Sequence, residues 1–300
     1  MKKLRLSPFV QKVKGIKNWV LVDLLKGRIF QIIPEGSVEQ FKEQLKDKKL
    51  AYETEGVIPF KFEVSLKKYS EKLRIRQLQI RLTGFCQDDC KNCGEICSCF
   101  KGDGKISDQV LENIIDQFKT IPIEQVLITG GNPLSEWSAI EKITKEISAS
   151  KFTILFRGHV DDDYINHLTE LKIDLISTLN VELSVTREKM NTDSFSFFYS
   201  QAFNSCWGNK VAIDVDGSIK PCLWFNMSLG NILDNEIRDM IIFCKFKEYW
   251  ELTKDKIESC DVCEYRYNCF DCRVSAIKEK DYLYAKFPCC RYDPRTGIWE

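Results

Sequence analysis

The amino-acid sequence predicts an α/β protein in three parts. These are a small basic α+β module at residues 1–75, a truncated partial (β/α) barrel at 76–203 and a cysteine-rich domain at 204–300. Three observations predict this. Residues 76–186 alternate strand-like and helix-like runs, which implies parallel βαβ units. Residues 8–33 alternate with the two-residue period of a strand and lead into one helix. Nine of the fourteen cysteines lie beyond residue 204, where the pattern changes to short strands and turns.

Taken in order, Trp19–Asp23 and Arg28–Ile33 read as strands joined through Leu25-Lys26-Gly27. Pro34-Glu35-Gly36-Ser37 is a turn, and Ser37-Val38-Glu39-Gln40 has the form of a capping box opening a helix through about Lys49. A strand-like stretch follows around Val57 to Val64. The barrel strands fall at Gln77–Leu82, Gln125–Thr129, Phe152–Phe156 and Val181–Val185, and the helices at Ser107–Thr120, Ser135–Ala149 and Asp161–Leu171. Four such units make an open or partial barrel, since a closed eight-unit barrel needs more residues. Lys210–Asp214 and Gly217–Lys220 form a hairpin with Asp216-Gly217 at its turn, and 234–254 reads as a helix.

The chain has 300 residues, 44% hydrophobic and 12% aromatic, enough for real cores. Lys+Arg and Asp+Glu are equal at 44 each, so nucleic acid is not indicated as a partner. Residues 1–75 nevertheless carry 17 basic against 9 acidic side chains. That surface suits an acidic peptide or protein, or is simply solvated. Met1–Val10 has charges but no long apolar core, and no later run is long and uncharged enough to span a bilayer, so neither a signal peptide nor a membrane partner is expected. The expected compartment is cytoplasmic, where thiols stay reduced and clustered cysteines read as metal ligands rather than disulfides.

The cysteines form two spaced sets. Cys86-x3-Cys90-x2-Cys93 follows the apolar run Leu78–Leu82 into a loop. Three thiolates at this spacing grip three corners of a cubic cluster and leave one coordination position open, with a zinc knuckle as the alternative. The second set is Cys206-x10-Gly217-x4-Cys222, then Cys260-x2-Cys263-x5-Cys269-x2-Cys272, then Cys289-Cys290. A zinc ribbon would account for the 260–272 spacing taken alone. Thr129-Gly130-Gly131-Asn132-Pro133 follows the second barrel strand, where glycines permit close backbone approach. Phe156-Arg157-Gly158 follows the third, and Glu182-Leu183-Ser184-Val185 lies at the fourth.

With these residues in place, the chain resembles the radical S-adenosylmethionine (SAM) enzymes that modify peptides and carry a SPASM extension. The resemblance covers about residues 76–186 and 204–292. It implies that Cys86, Cys90 and Cys93 hold a [4Fe–4S] cluster whose fourth iron binds SAM. It also implies that Gly130, Gly131, Asn132 and Pro133 meet the SAM amino group, with Arg157 and Ser184 on further SAM contacts. Cys260, Cys263, Cys269 and either Cys289 or Cys290 would hold one auxiliary [4Fe–4S] cluster, and Cys206, Cys222 and Cys272 three corners of another. Residues 1–75, with Val13-Lys14-Gly15 and Val20-Leu21-Val22-Asp23, are similar to the module that grasp-with-SPASM maturases use to hold a precursor's leader. The implied function is modification of a ribosomally made precursor peptide through a 5′-deoxyadenosyl radical, giving a thioether, a carbon–carbon link or an epimerised residue. An external electron donor and an ATP-grasp ligase are the implied further partners.

The chain departs from the family pattern at four points. Asn92 stands where an aromatic is usual, Cys269-x2-Cys272 is one residue short, no cysteine lies between Cys99 and Cys206, and about twenty residues separate Val185 from Cys206. The nearer auxiliary cluster therefore has an open iron or borrows Cys244 or Cys290. The short barrel gives a wide site for a peptide, or marks an eroded iron–sulfur protein that presents the precursor to a ligase; a zinc-stabilised binding protein is a third reading. Cys97 and Cys99 are candidate hydrogen-atom donors or resolving thiols, or incidental loop thiols. Cys244 is expected in the core of an apolar helix, Phe195–Tyr199 in the core, and Asp161–Asp163 at a helix N-terminus.

Overall fold

The computed structural model describes residues 3–32, 37–56, 62–70, 73–84, 104–156, 160–176 and 185–300. Strands β1 (Lys3–Leu6), β2 (Val10–Lys14), β3 (Trp19–Asp23) and β4 (Arg28–Ile32) precede helix α1 (Val38–Asp47), strand β5 (Ala51–Thr54) and the single turn α2 (Lys67–Ser70). Then come β6 (Ile75–Thr83), α3 (Asp108–Phe118), β7 (Ile123–Gly130), α4 (Trp137–Glu146), β8 (Ala149–Leu155), α5 (Asp162–Glu170) and β9 (Ile173–Ile176). After α6 (Ser194–Ala202) follow β10 (Lys210–Ile213), β11 (Ser218–Lys220), β12 (Gly230–Asn231), α7 (Ile237–Ile242), α8 (Lys247–Trp250) and α9 (Arg273–Lys280), and the chain closes with β13 (Tyr292–Asp293) and β14 (Ile298–Trp299). Two compact units cut across this order: Met1–Leu66, Leu183–Cys206 and Leu252–Glu300 form one, Lys67–Glu182 and Trp207–Glu251 the other.

The second unit is built on a seven-stranded sheet ordered β12-β11-β10-β6-β7-β8-β9. β10, β6, β7, β8 and β9 run parallel, and β11 and β12 are antiparallel additions. Side chains alternate across a strand, so β6 sends Leu78, Ile80 and Leu82 to one face and Gln77, Gln79, Arg81 and Thr83 to the other. The apolar face joins Val126, Ile128, Ile154, Val211 and Ile213 to the buried stripes of α3 and α4 in one core. Ser107 caps α3 by accepting from the Val110 N–H at 3.2 Å. The opposite face keeps a row of polar side chains, which positions the site described below.

Strand and helix expectations for 76–171 match these elements to within a few residues. The sheet has a further strand, β9, whose four residues are too short to show a period. The expected strand Val181–Val185 lies outside the described residues except for Val185, which bridges to Cys290 in the first unit. The helix expected over 234–254 is two pieces. Cys244 takes the left-handed conformation at φ 64° and ends the first turn system, so that Ile237 and Met240, then Phe246 and Trp250, each reach the core. Cys244 is accordingly exposed and not a core residue.

In the first unit, β2, β3 and β4 form an antiparallel sheet and β1 pairs with β5. The capping box is present: the Ser37 hydroxyl accepts from the Gln40 N–H at 3.2 Å and the Gln40 side chain accepts from the Ser37 N–H at 3.0 Å. The strand expected around Val57–Val64 lies mostly outside the described residues. Phe62–Val64 is irregular, residues 57–61 lie outside the described ones, and β5 takes the pairing with β1 because Ala51 seals the core of Val10, Leu21, Ile32, Leu45 and Leu50. Phe197 and Tyr199 of α6 are buried, as their apolar cluster predicts. Asp161 occupies the N-cap position of α5 with Asp162 and Asp163 in its first turn. Among the described residues no helix is long and apolar enough to cross a membrane.

Candidate iron–sulfur sites

The polar face of the parallel sheet carries two hydrogen-bonded groups. Gln79 Nε2 donates to Gln77 Oε1 at 2.9 Å, Gln77 Nε2 to Gln125 Oε1 at 2.8 Å, and Gln125 Nε2 to Thr153 Oγ1 at 3.0 Å. Toward the strands' C-terminal ends, Asp214 accepts from Arg81 Nη1 at 2.9 Å and from Lys220 Nζ at 2.7 Å, all three side chains being at least nine-tenths buried. Gln79 Oε1 also accepts from the Leu223 N–H at 3.2 Å, which ties the segment at Cys222 to β6. A buried polar surface of this extent is costly unless each member is paired, and here it lines the side of the sheet that the helices leave.

The first cysteine set lies between the end of β6 and Gly104 in sequence. The Gly84 N–H donates to Gly104 O at 2.8 Å and the Ile106 N–H to Leu82 O at 2.7 Å, so both ends flanking that segment are pinned beside Thr83. The next strand brings Gly130 against the same point. A Cβ there would sit 2.7 Å from Thr83 O, and the Gly131 N–H donates to Thr83 O at 3.0 Å. Asn132 caps the following short turn by accepting from the Leu134 N–H at 3.2 Å, and Pro133 is buried at its start. Gly130, Gly131, Asn132 and Pro133 are therefore brought beside the ends that flank the first cysteine set. Cys86, Cys90, Cys93, Cys97, Cys99, Arg157 and Ser184 lie outside the described residues.

All nine described cysteines are free thiols. In the first unit Cys269 lies within electrostatic reach of Cys260 and Cys290, and Cys263 within reach of Cys260 and Cys269. Burial pushes the Cys269 thiol up to about 12; the Lys254 ammonium opposes this, while Cys290, Cys260 and Asp271 add to it. Burial also raises Cys260, with Lys254 opposing and Asp271 and Cys290 reinforcing. Cys263 is raised well above the ordinary thiol range by burial, against the 3.4 Å donation from the Tyr265 N–H, with Cys260, Glu264 and Cys269 adding to the rise. Burial alone would lower Lys254, but the charges of Cys269, Asp271 and Cys260 override it and keep the amine protonated. Cys289 offers its carbonyl to the Val185 N–H at 3.2 Å.

This donor set fits a four-thiolate cluster. The thiols of a zinc tetrahedron are only about 3.8 Å apart, from Zn–S bonds of about 2.3 Å. Among the described residues no group of three or more His, Cys, Asp or Glu side chains is arranged to hold a metal ion; it is the chemistry of the donor set, thiols beside the Lys254 ammonium, that suits an iron–sulfur cluster. The segments of Cys206 and Cys272 are tied together as well. Asn204 Oδ1 accepts from the Cys206 N–H at 3.0 Å and Asn204 Nδ2 donates to Asp271 Oδ2 at 3.4 Å. Cys222, 4% exposed, belongs to the second unit.

Sequence reading missed the two groups formed by Gln77, Gln79, Arg81, Gln125, Thr153, Asp214 and Lys220. The available signal was the strict alternation Gln77-Leu78-Gln79-Ile80-Arg81-Leu82-Thr83, since a parallel strand buried between two apolar layers reads as a continuous apolar run.

Comparison with known proteins agrees with this geometry. Residues 75–201 match the 4Fe-4S single cluster domain. Among solved structures, native anSMEcpe with bound AdoMet is 14% identical with a TM-score of 0.50, covering 70% of this chain and 92% of its own. Streptococcus suis SuiB bound to the precursor peptide SuiA is 12% identical (TM-score 0.40), covering 96% and 99%. BtrN in an open conformation is 19% identical (TM-score 0.41), covering 63% and 92%. No curated protein matches the chain. Over 70% of its length the chain thus shares the fold of native anSMEcpe with bound AdoMet.

Proposed function

We propose that this protein is a radical SAM enzyme that modifies a ribosomally made precursor peptide in the cytoplasm. The observation that carries the reading is the Gly84 N–H bond to Gly104 O, which closes the two ends flanking the first cysteine set beside the Gly130-Gly131 turn at the end of the parallel sheet. Cys86, Cys90 and Cys93 would hold the SAM-binding [4Fe–4S] cluster, and Cys260, Cys263, Cys269 and Cys290 one auxiliary cluster. Cys206, Cys222 and Cys272 would serve a second. When bound at Cys86, Cys90 and Cys93, the cluster and SAM would supply one-electron reductive chemistry for hydrogen-atom abstraction from the peptide.

The chain's own residues would do the rest. Gly130 and Gly131, lacking side chains, let a bound amino-acid moiety approach the backbone at Thr83. Arg81 and Lys220 both pair with Asp214 on the polar face of the sheet. Lys254 stays protonated among the auxiliary thiols and favours their thiolate forms. The basic N-terminal module would hold an acidic leader, as the SuiB–SuiA complex shows a precursor peptide bound to a structural neighbour. An external reductant would supply electrons, and an ATP-grasp ligase would act on the same precursor.

The test is 5′-deoxyadenosine release from SAM by anaerobically reconstituted, dithionite-reduced protein, with Cys86→Ala beside it. Release in the wild type and its loss in the variant are expected. An intact cluster with neither SAM binding nor release would sink the reading in favour of an iron–sulfur protein that only presents the peptide.

A further inference from the structure

The turn between β2 and β3 grips the segment that carries Cys263. The Ile16 N–H donates to Val262 O at 2.8 Å, and Arg266 Nη1 donates to Lys14 O at 2.9 Å and to Cys263 O at 2.7 Å. Gly15 lies so close that a Cβ would be 2.5 Å from Glu264 Oε2 and 2.9 Å from the Glu264 backbone nitrogen. From β4, Gln31 Nε2 donates to Glu264 Oε1 at 3.3 Å and to the Tyr292 hydroxyl at 3.2 Å, and Tyr292 itself donates to the same carboxylate oxygen. Glu264 is fully buried, and its Oε2 has no hydrogen-bond partner. Glu264 follows Cys263 directly and Tyr292 stands two residues after Cys290. Both thiols also pack against the apolar cluster that includes Val13, Val20 and Val22 of β2 and β3.

A buried carboxylate with one oxygen unsatisfied costs stability, roughly 1–3 kcal/mol or more for a charged group. A fold without a use for it would place an apolar side chain there. Its use here is connection: one side chain meets both the N-terminal sheet and the two strands of chain that carry thiols. We infer that Glu264, Gln31 and Gly15 are positioning residues for the auxiliary cluster, so that the N-terminal sheet is part of that cluster's housing and not only a peptide-holding module. The inference rests on the assignment of Cys260, Cys263, Cys269 and Cys290 to one auxiliary cluster. A negative charge one residue from Cys263 also favours the oxidised, less negative state of such a cluster.

The test uses full-length, anaerobically reconstituted protein in a background where Cys86, Cys90 and Cys93 are replaced by alanine, so that only auxiliary signals remain. Iron and sulfide content, the electron paramagnetic resonance spectrum and its midpoint potential are read for Glu264→Gln, Gly15→Ala and Cys263→Ala. Glu264→Gln, nearly isosteric, is expected to keep its iron and shift the midpoint positive. Gly15→Ala is expected to broaden the spectrum and release iron to a chelator several-fold faster. If Gly15→Ala does not fold, the potential of Glu264→Gln decides. An auxiliary spectrum that survives Cys263→Ala unchanged overturns the cluster assignment. A spectrum lost in Cys263→Ala, with wild-type potential in Glu264→Gln and wild-type line shape and iron release in Gly15→Ala, overturns the positioning role alone.

Discussion

Gly130→Ala tests the link between the sheet and the cysteine loop. The added Cβ would lie 2.7 Å from Thr83 O and 3.1 Å from both Thr83 N and Cγ2. Ordinary carbon–oxygen contact begins near 3.4 Å, so the end of β7 or β6 must move by about 0.7 Å. Neither moves freely, because Thr83 O also accepts from the Gly131 N–H and Gly84 is pinned to Gly104. Overpacking of this kind costs about 1–3 kcal/mol. Displacement of catalytic geometry by about 1 Å can cost about 100-fold in rate. The assay is urea unfolding of the reconstituted protein together with equilibrium SAM binding. The expected result is a loss of stability in that range and SAM binding weakened by at least tenfold. Wild-type stability with wild-type SAM affinity would refute the claim that Gly130 sits where the cofactor and the loop root meet.

Other substitutions address the buried charges and thiols. Asp214→Ala removes the carboxylate that Arg81 and Lys220 share at 2.9 and 2.7 Å, and should cost about 3–5 kcal/mol in denaturant unfolding, whereas the double change Arg81→Met with Asp214→Leu should cost less. In cluster-free protein, the raised Cys269 thiol contributes stability that is complete below the unfolded value of about 8.5 and is lost as pH rises toward about 12; thermal melts from pH 7 to 10 should therefore fall on the alkaline side. Because ligation needs thiolates, iron uptake in reconstitution should improve between pH 7 and 9, and Lys254→Met, which removes the cation opposing the rise, should lower iron retention at pH 7. Cys244→Ser, at an exposed left-handed turn, should change stability by no more than about 0.5 kcal/mol and leave iron content unchanged; loss of iron would return Cys244 to the ligand set.

How legible the site was depends on how local its parts are. The turn Gly130-Gly131-Asn132-Pro133 and the hairpin around Asp216-Gly217 are short-range chemistry, and both stand where the sequence puts them, with Gly217 at φ 81°. The break at Cys244 was hidden because Ile237–Trp250 is apolar enough for one long helix. Only the positions of the surrounding core decide that two short pieces bury more. The choice between Cys289 and Cys290 depends on which thiol turns toward Cys260 and Cys269, and adjacent residues carry no periodicity that tells them apart. Arg81 and Asp214 are 133 residues apart, and no local pattern pairs them.

By itself, the sequence determined the alternation of strands and helices, the capping of α1 and α3, the two cysteine sets and the close-approach glycines. Each of these follows from side-chain spacing or backbone freedom within a few residues. Tertiary structure alone decided that β10 lies beside β6, that Gln77, Gln79, Gln125 and Thr153 link up across three strands, and that Gly15 and Gln31 close on Glu264 next to Cys263. Those contacts join residues far apart in the chain, and burial, not local propensity, selects them.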